Sequence, residues 1–342
     1  VKPVVYFVPP ANARAAVGLV LETSGFLREL KPKRKVGLKV HFGEHGNSNH
    51  LDPQFVRAAA VAVSYYNLQP VAVETTALYR GRRQNAADHV KLAKEHGFDM
   101  NQILAPIDIL DGRRGEKFYV VPLESTLVPK ARLAQGLRRY HYLINLAHFK
   151  GHFVTGFGGA LKNIGMGLAA KAGKLEMHSS SRPQVDPEKC ASCGDCVNYC
   201  PNDAINFVQY VAKVGRSCTG CGGCLVVCRH GAIQVNWDAA SELVQLKMAE
   251  YCRAVLLGRK AFHFDFCLKV TPNCDCYPQT EKPFTDDAGV FASADPVACD
   301  QAAFDRLSPQ LKELYPHLNP ETLLEAAARL GVGSREYELV EL

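Results

Sequence analysis

Eight of the thirteen cysteines fall into two runs of one spacing. The first run is Cys190, Cys193, Cys196 and Cys200, followed by Pro201; the second is Cys218, Cys221, Cys224 and Cys228. Each reads C-x2-C-x2-C-x3-C, a spacing that holds [4Fe–4S] clusters. Three thiolates separated by two residues wrap one corner of an iron–sulfur cube. The fourth cysteine is carried away by the start of a helix and ligates the other cube. The spacing therefore assigns one cluster to Cys190, Cys193, Cys196 and Cys228, and a second to Cys218, Cys221, Cys224 and Cys200. A pair of zinc sites is the plainer alternative, but structural zinc prefers separated C-x2-C pairs that close a tetrahedron.

The two runs are an internal repeat with an offset of 28 residues. Gly194 maps to Gly222, Ala204 to Ala232 and Ile205 to Ile233. Matches outside the ligands point to a duplicated fold unit, as in bacterial two-cluster ferredoxins, spanning 184–237. Pro201 has no counterpart, because Arg229 stands there, and Arg229 and His230 bring charge beside a cluster.

Four other stretches carry chemistry. Between His148 and Gly167, Lys150 and Lys162 supply charge, Asn163 supplies amide donors, and Gly158 and Gly159 let backbone approach a ligand ahead of a helix. Exposed amides at such a helix start favour carboxylate or phosphate. The stretch is neither a Walker A loop nor a G-x-G-x-x-G fingerprint, and turn packing alone is the bland reading of its glycines. His41, Glu44, His45 and His50 form a polar loop after a strand, without a known metal spacing. Glu74 ends another strand, and His148, His152 and Glu74 are the expected proton carriers. Cys274-Asp275-Cys276 places two thiols one residue apart, fit to bind a metal, form a redox pair or meet a substrate. Cys252, Cys267 and Cys299 read as small buried apolar residues.

The elements that must position these groups alternate between strand and helix. Strands are expected at 4–8, 35–42, 70–75, 140–147, 260–270, 288–292 and 337–342, with further apolar stretches at 103–110 and 118–123. Helices are expected from Asn12 to about Leu30, after Asp52-Pro53, from Asn85 to Gly97, at 130–139, 238–258, after Asp295-Pro296 and at 320–330. This pattern predicts an α/β fold with a mostly parallel sheet and flanking helices, interrupted by a small α+β ferredoxin-like module. The expected division is 1–183 and 238–342 for the α/β domain and 184–237 for the insert. Ligands of open α/β sheets bind beyond the carboxyl ends of the strands. His41, Glu44, His45, Glu74, His148, Lys150, Asp286 and Asp287 all follow strands and are expected on that rim.

With 47% hydrophobic and 22% charged residues the composition is that of a globular protein. No apolar run approaches the ~18 residues of a membrane span, and no secretory leader is expected. Cysteines in ferredoxin spacing argue against a secreted disulfide framework, so a reducing cytoplasm is the expected location. The net charge of +6 is mild, and basic clusters such as Arg80-Gly81-Arg82-Arg83 read as solvated loops. Neither nucleic-acid nor membrane binding is expected.

The chain resembles the uncharacterised iron–sulfur centre proteins of the domain of unknown function 362 family. The resemblance rests on LKVHFGE at 38–44, YRGRRQNAADH at 79–89, NLAHFKGH at 145–152, GFGGALKNIGMG at 156–167 and the segment from Cys274 to Ala302, together with the central cysteine runs. It implies an α/β domain with an inserted two-cluster ferredoxin and supplies no assigned reaction. Three functions remain open: an oxidoreductase passing electrons from a partner protein through two [4Fe–4S] clusters to a small anionic ligand; a non-enzymatic electron carrier; and a cluster-based sensor or structural staple.

Overall fold

Apolar residues recurring on alternate positions build one eight-stranded sheet. The structure is a computed structural model and describes all residues except 80, 179–181, 201, 219–221 and 236–240. The sheet strands are β1 (Val4–Val8), β2 (Lys35–Lys39), β3 (Gln69–Glu74), β4 (Ile107–Ile109), β5 (Tyr142–His148), β6 (Lys260–Cys267), β7 (Gly289–Ser293) and β8 (Glu338–Glu341). Their order is β8-β1-β7-β6-β5-β2-β3-β4. Neighbours run parallel except β7, which is antiparallel to β1 and β6. The architecture is thus α/β with a mostly parallel sheet.

Successive side chains on a strand face opposite ways, and both faces are covered. One layer joins Val36 and Leu38 of β2, Ile144 and Leu146 of β5 and Phe262, Phe264 and Phe266 of β6 to α1 (Ala16–Thr23) and α2 (Pro53–Tyr65). The opposite layer holds Leu143 and Phe291 under α6 (Ser241–Leu256), α7 (Pro296–Leu314) and α8 (Thr322–Arg329). The same alternation turns Lys39, Asn145 and Asp265 toward that second layer, where α4 (Ala160–Gly165) lies. A one-residue slip would exchange these polar groups for aliphatic ones.

Helix starts follow local capping. Asp52 accepts the Gln54 amide at 2.9 Å with Pro53 in the first turn, and Asn85 accepts the Asp88 amide at 3.0 Å at the head of α3 (Ala86–Glu95). Asp295 accepts the Val297 and Ala298 amides at 2.8 and 2.9 Å. Three expectations are corrected. The helix from Asn12 to Leu30 breaks into a 3-10 turn at Pro10–Ala15, α1, and a second turn at Phe26–Glu29, because Gly25 adopts φ 67°. The stretch 103–110 divides into the short helix Met100–Ile103 and β4. The basic helix at 130–139 is instead a strand, Lys130–Ala134, followed by a 3-10 turn. That strand pairs antiparallel with Phe118–Pro122 and buries Ala131 and Leu133 on one face, so pairing overrides helix propensity.

The described residues of 184–234 supply no strand to the large sheet. They form two small antiparallel pairs, Gln184–Val185 with Ile233–Gln234 and Ile205–Val208 with Val211–Val214, and two short helices, Asp195–Asn198 and Gly223–Val227. Gly194 (φ 80°) and Gly222 (φ 72°) open the two helices in left-handed backbone, at corresponding positions of the repeat. A separate apolar cluster forms here, joined from the main body by Leu78 and Leu175. Among the described residues no helix is long and apolar enough to cross a membrane.

Candidate functional site

The carboxyl ends of β2, β3 and β5 and the loop after β6 surround a cavity of about 760 Å³. His41, Glu44, Glu74, Lys150, His152, Gly158, Gly159, Lys162, Asn163, Cys274 and Cys276 all line it. Residues more than two hundred positions apart meet because the loop after β6 is stitched to the loop after β2. The Glu44 amide donates to the Asp275 carbonyl at 2.9 Å, and Asn47 Nδ2 donates to the carbonyls of Tyr277 and Gln279 at 3.1 Å each.

Cations dominate the cavity wall. Lys39, Arg82, Arg83, Lys150, Lys162 and Lys174 line it against the carboxylates of Glu44 and Glu74. Lys39 Nζ stands 3.0 Å from Glu74 Oε1 and donates to Asn163 Oδ1 at 2.9 Å. Burial pushes its ammonium down to about 8, with Glu74 opposing. Arg83 Nε reaches Glu44 Oε2 at 3.0 Å, and its Nη1 lies 3.7 Å from Glu74 Oε2 and 2.8 Å from His41 Nε2. Lys174, in α5 (Lys171–His178), donates to Thr75 Oγ1 at 2.6 Å and to the Thr76 carbonyl. Lys150 Nζ meets Asp275 Oδ2 at 3.1 Å. Lys162 differs: among the described residues its ammonium has no oxygen partner at all, carboxylate or otherwise, and faces Cys274 Sγ at 3.5 Å.

The two thiols sit in a closed turn, in which the Tyr277 amide donates to the Cys274 carbonyl at 2.8 Å. His152 is buried on the cavity wall, and its Nδ1 faces the amides of Val154 and Thr155 at 3.2 Å each. Burial first, then Lys162, keeps its ring neutral well below the usual range. With Nδ1 accepting, the proton lies on Nε2, so His152 offers a hydrogen bond and not a basic lone pair.

Other expected residues take different places. His148 does not line this cavity. Its Nδ1 meets Asp275 Oδ1 and its Nε2 the Leu268 carbonyl, both at 2.9 Å, so neither nitrogen is left for a substrate. It borders instead a larger hollow of about 910 Å³ between α1 and α2. Asp287 also borders that hollow, where its Oδ1 accepts the Lys269 amide at 2.6 Å. Asn163 spends its amide on Asn145 Oδ1 at 2.7 Å and the Leu146 carbonyl at 3.2 Å; it positions Lys39. The amides that open α4 are already satisfied, because Asp300 accepts from Ala160 and Leu161 at 2.5 and 3.1 Å. The anion at this helix start is thus the protein's own carboxylate. Gly159 lets that carboxylate approach: a Cβ there would stand 2.5 Å from Asp300 Oδ1 and 3.0 Å from Asp265 Oδ1. Gly159→Ala is expected to cost about 1–3 kcal/mol through overpacking, measured by denaturant unfolding; an unchanged midpoint would refute the contact.

Arg83 corrects the reading of its basic cluster as a solvated loop, since only 4% of it is exposed. Lys39 carried a signal in the sequence, a lysine inside an apolar strand, whereas nothing local marked Lys174 or Asp275.

In the cysteine-rich segment, Cys190, Cys193, Cys196 and Cys228 line one small cavity together with His230. Amides point at the sulfurs: Ala204 at Cys200 and Ala232 at Cys228, both at 3.2 Å, and Ala212 at Cys190 at 3.5 Å. The first two repeat at the 28-residue offset seen in the sequence. Cys221 lies outside the described residues; Cys218 and Cys200 are partly exposed and Cys224 is buried. Arg229 Nε lies 3.5 Å from Asp195 Oδ2 in an exposed pair. Among the described residues no three His, Cys, Asp or Glu side chains gather closely enough for a single metal ion.

No functionally curated protein matches the sequence. A structural-genomics protein from Thermotoga maritima is similar at 11% identity and TM-score 0.42, over 90% of this chain and 59% of that one. The lactate racemase apoprotein from Thermoanaerobacterium thermosaccharolyticum is similar at 14% identity and TM-score 0.36, over 75% of this chain and 58% of that one. The chain thus spans about three-fifths of the length of these two proteins. The model of a domain of unknown function (DUF362) matches residues 36–305, well over half of the chain, and the protein belongs to that family.

Proposed function

We propose that this protein is an iron–sulfur oxidoreductase that delivers electrons to a small anionic ligand in the cavity at the strand ends. The cavity's charge carries the reading: six lysine and arginine side chains line it with two carboxylates, and Lys162 lacks any carboxylate partner among the described residues. A carboxylate or phosphate entering there meets Lys162 and Arg83 in a site where charge is weakly screened. His152 donates a hydrogen bond through Nε2, and Glu74, Lys39 and Lys150 are fixed around the ligand.

The cysteine runs suit two [4Fe–4S] clusters, held by Cys190, Cys193, Cys196 and Cys228 and by Cys218, Cys221, Cys224 and Cys200. Convergence of the first four on one small cavity and the amide-to-sulfur bonds support this donor set. A cube is wider than a single ion, so its thiolates stand further apart than those of zinc. When bound, such clusters supply electrons one at a time. Leu78 supports a connection, because it lines the large cavity and also packs in the apolar cluster containing Cys196 and Cys224. An electron-donor protein, the 184–237 module as a ferredoxin-like insert and a reducing cytoplasmic setting complete the proposal. The exposed Cys193 and Tyr210, the latter 86% exposed, favour a second reading as an electron carrier.

Anaerobically purified protein should hold about eight iron and eight sulfide per chain, and thermal shifts against acetate, phosphate and sulfate should identify an anion that binds. Lys162→Met should weaken that anion about tenfold, or ~1.4 kcal/mol, while leaving cluster reduction by dithionite unchanged. Stoichiometric zinc without sulfide would overturn the cluster assignment, and anion binding indifferent to Lys162 would overturn the enzyme reading in favour of the carrier.

A further inference from the structure

We propose that Cys274 and Cys276 are a redox-active dithiol that closes to an intrachain disulfide on the wall of the large cavity, exchanging with small disulfides that bear negative charge. The inference rests on the proposed function only for the identity of the physiological electron source.

Four observations carry it. Both side chains line the cavity, whereas Cys252, Cys267 and Cys299 do not and are fully buried in the core. The turn closed from Tyr277 to Cys274 folds residue 276 back on residue 274, and the Cys276 amide lies 3.4 Å from Cys274 Sγ. Turns of this kind bring alternate residues within the Cα separation that a disulfide spans. Asp275 points the other way and is clamped by His148 and Lys150 at 2.9 and 3.1 Å, which fixes both flanking cysteines. Lys162 Nζ stands 3.5 Å from Cys274 Sγ with no carboxylate among the described residues to neutralise it.

These surroundings assign the roles. The Cys276 thiol first, and then Lys162 and Lys150, hold Cys274 well below the usual thiol range against the opposing effect of burial, while the same bond pushes Cys276 up. Cys274 is therefore the thiolate that attacks and Cys276 the thiol that resolves. The Cys274 thiolate attacks one sulfur of a disulfide R–S–S–R; the S–S bond breaks, and R–S⁻ leaves and takes a proton. Cys276 loses its proton and attacks Cys274 Sγ of the mixed disulfide, expelling the second R–S⁻. The net change is one small disulfide reduced to two thiols and two protein thiols oxidised to one disulfide. Reopening takes two electrons and two protons, from a small dithiol or from two one-electron iron–sulfur donors.

The test uses the full chain, purified anaerobically with its metal content. The protein is equilibrated in buffers of reduced and oxidised dithiothreitol, quenched in acid, alkylated and digested. The peptide containing Cys274 and Cys276 should interconvert reversibly between a doubly alkylated and an unalkylated form, the latter two hydrogens lighter than the free dithiol. Glutathione disulfide, which carries carboxylates, should drive the same closure. Cys276→Ser should instead trap a mixed disulfide on Cys274, and Lys162→Met should slow alkylation of Cys274 at pH 6 about tenfold. A peptide that stays alkylated in the most oxidising buffer overturns the proposal, as does zinc bound stoichiometrically to the pair. In a second arm, dithionite without thiols is added to the oxidised protein. Reopening there supports both readings. Failure in that arm alone overturns electron delivery from the clusters and leaves the dithiol standing.

Discussion

Asp275→Asn is expected to lower stability at pH 7 by about 3–5 kcal/mol, the usual cost of breaking a buried ion pair by removing one partner. Asp275 is fully enclosed, and its two oxygens face His148 Nδ1 and Lys150 Nζ at 2.9 and 3.1 Å. An amide in its place leaves Lys150 buried without an anion and His148 with a weaker acceptor. The pH dependence separates this from a packing defect. Burial raises the Asp275 carboxyl, but His148 and Lys150 outweigh it and hold the group well below the usual carboxylate range. A depressed folded-state value means that its contribution is present above the unfolded value of about 4. It is lost as pH falls through the folded value. The gap between wild type and variant in urea unfolding should therefore be widest from pH 6 to 8 and narrow toward pH 2. A second change, Lys150→Met, should recover part of the loss in the Asp275→Asn background, since an apolar group tolerates burial better than an unpaired ammonium. A gap below 1 kcal/mol at pH 7, or one of constant size to pH 2, would show that the cluster is not an ion pair of consequence.

The same cluster shows what a sequence conveys about a site. Lys150, Lys162, Glu74 and the two thiols were visible because each sits in a local pattern: a strand end, a glycine-rich turn, a C-x-C. Strand termini and period-two burial are local properties, and so the sheet and the rim were legible. Partnerships across the chain were not. Asp300 satisfies the α4 amides from about 140 positions away, and no spacing near Gly159 announces it. Arg83 looked like one charge in a basic loop, yet Glu44, from the loop after β2, draws it inward. His148 resembled a catalytic histidine at a strand end, but its side chain points to Asp275 and Leu268 and not to the cavity. Alternation told which strand residues face a helix layer; it did not tell that β7 runs antiparallel, which depends on the path of the loop from Thr271 to Ala288.

Asp265→Asn is expected to stabilise the protein at pH 8. Asp265 and Asp300 lie together behind Gly159, and a Cβ at Gly159 would stand 3.0 Å from one carboxyl and 2.5 Å from the other. Asp300 has the α4 amides as donors, whereas neither Asp265 oxygen has a hydrogen-bond partner of good geometry among the described residues. Two enclosed carboxyls with one set of donors cannot both ionise at ordinary cost, so the pair titrates as a unit. Burial pushes Asp265 up to about 6 and, with the neighbouring charge, pushes Asp300 up as well. Here the sign is opposite to that of Asp275. A raised folded-state value gives a contribution that is complete below the unfolded value of about 4 and is lost as pH rises through the folded value. Wild-type stability should therefore fall between about pH 4 and pH 7 on account of this pair. The amide removes one titrating group and supplies an N–H to Asp300, so the variant should lose most of that slope. A gain of about 1–2 kcal/mol at pH 8 is the expected size, as for relief of a buried polar group left without a partner. Urea unfolding of both proteins at pH 5 and pH 8 decides it. If Asp265→Asn is equally destabilised at both values, the carboxylate is ionised and held by donors, and the shared proton does not exist.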